Sequence, residues 1–156
     1  MRTIRFWLVL FMIGLVASGL TAFPLETETR WLAAVLHTLP APDFLVTWID
    51  HVTEGIRVTN RDYPFMAYGT DWLAFAHLVI AVAFWGPLRD PVRNIWVVQF
   101  GMIACVAIVP LTLICGPIRG IPGWWQLVDM SFGILGLVPL IIVHRRIRTL
   151  ERLTHP

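Results

Sequence analysis

Two ionisable side chains stand inside stretches that are otherwise apolar: His77 in "DWLAFAHLVIAVAF" and Asp129 in "GWWQLVDMSFGILGL". A charged group within a membrane helix costs a few kcal/mol on insertion scales, so it ordinarily faces protein or water and has a partner. An imidazole titrates near neutral pH, and a carboxylate beside it stabilises the imidazolium, so such a pair is competent for general acid–base chemistry. The two residues share a pattern. Ala74, His77 and Ala81 fall on one helical stripe at spacings of three and four, and Asp129, Gly133 and Gly136 fall on another. Small residues mark the faces where membrane helices approach closely. Each ionisable group lies about 7 to 9 Å below the start of its helix, at a rise of about 1.5 Å per residue. The expectation is that His77 and Asp129 face the interior and meet there. His77 then acts as acid or base with Asp129 fixing its tautomer, or the two form a polar contact that only sets helix register.

Other residues join them at the same end. Arg119, in "GPIR", sits in a short loop near the openings marked by Asp71 and Asp129. It is expected either to pair with an acid, to hold an anionic head group by a bidentate contact, or to remain a solvated arginine. Trp124, Trp125, Phe75 and Tyr68 would supply apolar and stacking walls for a ligand. Asp71 opens its helix at the positive end of the dipole, where capping is its default role. The Gly-Pro pairs in "GPLR" (residues 86–89) and "GPIR" (residues 116–119) read as turn chemistry. His51 and Glu54 provide two metal-ligand types at a spacing of three, but a site needs three or four ligands. No metal is expected. His77 and His144 lie toward opposite ends of their helices, which argues against a bis-histidine haem, and no other cofactor is expected. No GxSxG, P-loop, HExxH or GxGxxG pattern occurs.

The elements that position these residues follow from composition. Of 156 residues, 57% are hydrophobic and 14% charged, with a mean hydropathy of +0.71; soluble domains carry about 25% charged residues. Four stretches, residues 4–23, 72–88, 95–114 and 124–143, approach the roughly 20 apolar residues that a bilayer requires. The chain is therefore read as an all-α integral membrane four-helix bundle. All 12 basic residues are arginine. Arg2, Arg5, Arg89, Arg93, Arg145, Arg146, Arg148 and Arg152 flank one side of the spans, and Arg30, Arg57, Arg61 and Arg119 the other. The positive-inside rule then places both termini in the cytoplasm of a bacterial-type inner membrane. The first stretch ends in "ASGLTA", which also suits a signal-peptide cleavage site; its length favours a retained span. Cys105 and Cys115, about 15 Å apart on one helix, lie beyond the disulfide reach of about 7 Å.

Residues 24–70 are too long for a plain connection. "TETRWLAAVLHTL" and "PDFLVTWIDHVTEGI" each carry an apolar face at helical spacing, with Asp43 placed to cap the second. Both are expected as amphipathic helices on the outer membrane face. "NRDYPFMAYGT" reads as a loop whose polar groups satisfy backbone. Gln99 reads as interhelical glue.

A net charge of +2 without a separate basic tract excludes nucleic acid as a partner class. The outline of one span, a long outer segment and three spans is similar to that of small membrane sterol isomerases and related ligand-binding proteins, as topology alone. The leading expectation is a membrane protein binding a hydrophobic or amphiphilic small molecule, such as a lipid, quinone or isoprenoid, in an outward-opening cavity. His/Asp chemistry of isomerase, cyclase or hydrolase type would follow from the pair. The competing expectation is a non-catalytic accessory subunit of a larger membrane complex, or a homo-oligomer, with the apolar faces used for docking.

Overall fold

Long apolar runs broken only by Gly-Pro pairs and short polar turns leave the backbone one good solution, the helix, because hydrocarbon offers no hydrogen-bond partners. The computed structural model describes residues 1–154, and among them every regular element is helical. The order is α1 (Arg2–Ala22), α2 (Leu25–Thr38), α3 (Asp43–Asp62), a 3-10 turn (Pro64–Met66), α4 (Ala67–Ala83), α5 (Trp85–Arg89), α6 (Ile95–Ile118) and α7 (Gly123–Thr154). Four stretches are long and apolar enough to cross a membrane: Arg2–Ala22, Pro64–Arg89, Ile95–Ile118 and Gly123–Leu153. The chain is an all-α, multi-pass membrane protein, with the two expected amphipathic helices, α2 and α3, between its first two spans.

The chain forms two compact units. The first comprises Met1–Gly14 and the chain from Ala81 onward; the second is Leu15–Ile80. Helices α1 and α4 contribute to both.

In the first unit, α6 and α7 form an antiparallel hairpin whose closeness is set by glycines. A Cβ on Gly133 would stand 2.5 Å from the Cys105 backbone oxygen, and one on Gly101 would meet Phe84 at 2.7 Å and Leu140 at 2.9 Å. Gly136 faces the Cys105 sulfur and Phe11. Phe11 and Phe84 pack with ring centroids 4.8 Å apart. Around them Ile4, Leu8, Val98, Leu140, Val143 and Ile147 are almost wholly buried. Side chains on the opposite faces, such as Val82, Ile103 and Leu135, are exposed, as expected of helices that are apolar all round and solvated by lipid. Both cysteines are free; Cys105 is buried and Cys115 exposed.

The turn from α6 to α7 closes as a Schellman motif: Ile121 N–H donates to Gly116 O at 2.9 Å and Gly120 N–H to Pro117 O at 3.2 Å. Gly120 carries the left-handed conformation this needs, with φ of 69°. The Gly-Pro glycines thus take part in the turns through their carbonyls, with Gly116 O accepting from Ile121 and Gly86 O from Asp90 at 2.9 Å each, while the left-handed residue is Gly120. Gly86 and Gly116 both lie inside helices, and each is overlaid by an amide: Asn94 beside Gly86, and Gln126 beside Gly116.

In the second unit, α2 and α3 pair antiparallel. His37 Nε2 lies 3.1 Å from both Asp50 carboxylate oxygens, and Asn60 Nδ2 donates to Glu26 Oε2 at 2.8 Å. Two local expectations change. Asp43 is the first residue of α3 and makes no capping bond; Pro42 stands at the cap. The expected loop "NRDYPFMAYGT" is almost entirely helical, and only Tyr63 leaves helical geometry, at φ −139° and ψ 61°. The cause is Pro64, whose ring disfavours helical backbone in the residue before it yet suits the first position of the next turn.

Candidate functional site

Helix α4 carries four of the expected site residues. Its start at Ala67 places Asp71 inside the helix, without a side-chain hydrogen bond to any described residue of its unit, so the capping role is not taken up. Tyr68, Trp72 and Phe75 form an edge-to-face ladder with centroid spacings of 5.9 Å at each step. Tyr68 and Phe75 are more than half exposed. They form an aromatic edge of α4, a geometry that lets rings stack on a flat or alkyl partner.

His77 lies on the small-residue stripe that the sequence singles out. Ala74 is fully buried, and Gly19 of α1 packs so closely that an added Cβ would meet Ala74 O at 2.9 Å and His77 Cβ at 3.2 Å. The stripe thus faces α1, as small residues at an interhelical contact should. The imidazole Nδ1 is 2.8 Å from Leu73 O. A carbonyl only accepts, so Nδ1 carries the proton and the neutral ring presents its lone pair on Nε2. The tautomer is fixed by backbone one turn back, a role that the sequence reading gives to a carboxylate. Any acid or ligand acting on this imidazole acts through Nε2.

The other site residues belong to the first unit and cluster around the α6–α7 turn. Arg119 is the C-cap of α6, exposed, with no ion pair among the described residues. Trp124 and Trp125 pack edge to face, 5.5 Å between centroids. Asp129 is partly buried one and a half turns into α7, and its carboxylate makes no hydrogen bond or ion pair with any described residue of its unit. Its stripe partners Gly133 and Gly136 face α6, so Asp129 shares the helix side that looks toward the hairpin interior.

Sequence reasoning misses Gln126. It is buried, its Nε2 donates to Ile121 O at 2.8 Å, and it fills the space over Gly116. Its signal was present as an amide at the head of an apolar run, the same signal that marks Gln99. Gln99 itself reaches His144, at 3.4 Å, joining α6 to α7 at their other end.

The polar face of α3 is occupied by ion pairs. Arg57 donates to Glu54 at 2.7 and 2.8 Å and holds its carboxyl below the ordinary value. Arg61 does the same for Asp62. His51 stacks near Trp48, at 5.9 Å. The groups of "NRDYP" thus pair with side chains, Asn60 with Glu26 included, where bonds to loop backbone are expected. No group of three potential metal ligands occurs among the described residues.

No family model, curated protein or solved structure matches the chain. The topological likeness to sterol isomerases gains no support, and function has to be argued from the side chains themselves.

Proposed function

We propose that the protein binds a hydrophobic or amphiphilic small molecule at the end of its spans where α7 begins. The observation that carries this reading is Asp129: a carboxyl group inside a membrane span, partly buried and without a partner in its own unit. An ionisable group in that position is costly unless something outside the local packing meets it. Arg119 and the Trp124–Trp125 pair lie at the same turn, so a cation, a carboxyl and flat apolar walls are available to one amphiphile.

Acid–base chemistry on the bound molecule is part of the proposal. His77 would act through Nε2, because Leu73 O occupies Nδ1. Asp129 is proposed as the ionisable group of the first unit, and Asp71, Tyr68 and Phe75 as ligand contacts beside His77 on α4 in the second. On the arginine asymmetry, the site opens to the noncytoplasmic side of a bacterial-type inner membrane, with both termini inside.

The test is mass spectrometry of the protein purified in a mild detergent, comparing wild type with Asp129→Asn and Arg119→Gln. A single recurring amphiphile that falls by about tenfold in either variant supports the reading, since tenfold corresponds to about 1.4 kcal/mol. A stoichiometric protein partner with only bulk lipid supports the accessory-subunit alternative and overturns the ligand-binding one. For the chemistry, a double-mutant cycle on turnover of the identified ligand with His77→Gln and Asp129→Asn reads whether the two groups act together. Additive effects would separate their roles.

A further inference from the structure

A groove of about 630 Å³ opens in the second unit, lined by Arg30, Trp31, Ala34, Val35 and Thr38 of α2 and by Thr53 of α3. Its size suits a small ligand, for which sites of about 300–1,000 Å³ are usual. The walls are more apolar than the residue types suggest. Thr38 Oγ1 donates to Val35 O and Thr53 Oγ1 to Ile49 O, both at 2.7 Å. With both hydroxyls engaged by their own helices, the threonines offer the groove chiefly their methyl groups. Ala34 and Val35 add short aliphatic surface. Trp31, 72% exposed, supplies a flat indole that water alone covers poorly.

One charge stands on this apolar lining. Arg30 has no ion pair among the described residues. Glu26, the acid one turn earlier on the same helix, is engaged by Asn60 at 2.8 Å. On α3, Asp50 meets His37 and Glu54 meets Arg57. These three carboxylates are engaged by other groups, and Arg30, in no ion pair among the described residues, keeps its bidentate donor face for a ligand.

We propose that the groove binds a single-chain amphiphile with an anionic head. The alkyl chain lies along Ala34, Val35 and the threonine methyls beneath the Trp31 ring, and a carboxylate or phosphate sits on Arg30. The site is separate from the one around Asp129 and does not depend on it, since every lining residue belongs to α2 or α3.

Bromine-bearing acyl chains quench indole fluorescence on contact and serve as the probe. The full-length protein in maltoside micelles is titrated with dibromostearate, with dibromostearoyl lysophosphatidylglycerol and, as the zwitterionic control, with dibromostearoyl lysophosphatidylcholine. Saturable quenching by either anionic probe is expected, and which of the two saturates identifies carboxylate or phosphate as the head. Arg30→Gln should weaken that binding by about tenfold or more, as expected for loss of a charge-assisted contact. Trp31→Phe should remove the quenched component, and Ala34→Trp should fill the groove and block binding. Unchanged elution and helical circular dichroism certify each variant. Quenching that never saturates, or that is equal for all three head groups and unaltered by Arg30→Gln, overturns the proposal and leaves ordinary partitioning of the hairpin into the micelle.

Discussion

Gly133→Ala places one methyl group where α6 and α7 come closest. The added Cβ would lie 2.5 Å from the Cys105 carbonyl oxygen, which is backbone and cannot rotate aside, with Ile108 a further neighbour at 3.4 Å. The helices must part by about 0.9 Å before the oxygen contact reaches ordinary van der Waals distance. Alanine in a helix is worth about 1 kcal/mol over glycine, so the sign depends on whether the strain exceeds that gain. Overpacking of a well-packed site costs about 1–3 kcal/mol, and here the obstacle is a main-chain atom on a helix that also carries the Gly101 and Gly116 contacts. The expected net effect is a loss of about 1–2 kcal/mol. For a chain of this size that corresponds to a melting temperature about 2–8 °C lower. Gly14→Ala is the internal control, since nothing lies within 4 Å of the Cβ it would add; it should be neutral or stabilising. The two cysteines provide the assay. With the exposed Cys115 replaced by serine, the buried Cys105 becomes the sole thiol, and a thiol-reactive fluorophore then reports melting at the contact in question. Equal melting temperatures for Gly133→Ala and Gly14→Ala would refute the close-approach account.

Gly120→Ala should cost about 1–2 kcal/mol, because its φ of 69° is strained for an L side chain, and Gly120→Asn should cost less; the same thiol melt ranks them. Gln126→Ala leaves Ile121 O without its donor and should lower stability by about 1–3 kcal/mol, whereas Leu127→Ala, at an exposed position, should change little in detergent. Arg57→Ala should raise the Glu54 carboxyl toward its ordinary value of 4.5, read as a carbon-13 side-chain titration; an unmoved midpoint would remove the ion pair from the explanation. Because the folded-state value lies below the unfolded one, the stability that Glu54 contributes is present above the ordinary carboxylate range. It is lost as pH falls through the folded value. Acidification should therefore weaken only the local support that this i, i+3 pair gives α3.

The spans were legible because hydrocarbon imposes a length and a polarity that composition reveals directly. The faces were legible too: Ala74, Ala81 and Gly133 lie at buried contacts, as their spacing predicts. What escaped was chemistry that depends on a third residue. Nothing in the sequence near His77 says that Leu73 O takes its Nδ1. That bond follows from a side chain leaning back one turn along its helix. The stretch around Tyr63 looked like a loop because its turn residues and polar groups have loop character, yet proline displaced a single residue and the helix resumed. Gly86 and Gly116 looked like turn formers because Gly-Pro usually marks turns. Their packing role became visible only with Asn94 and Gln126 laid over them.

Helix α7 runs from Gly123 to Thr154, 32 residues, so at about 1.5 Å per residue it measures about 48 Å. A bilayer's oily interior absorbs about 30 Å of that. Ile147, beyond the expected end of the span at residue 143, is wholly enclosed by protein. Trimming the chain at Val143 would therefore remove a fully buried core side chain along with the arginines around it. For design of fusions, the practical limit for attachment lies after Ile147.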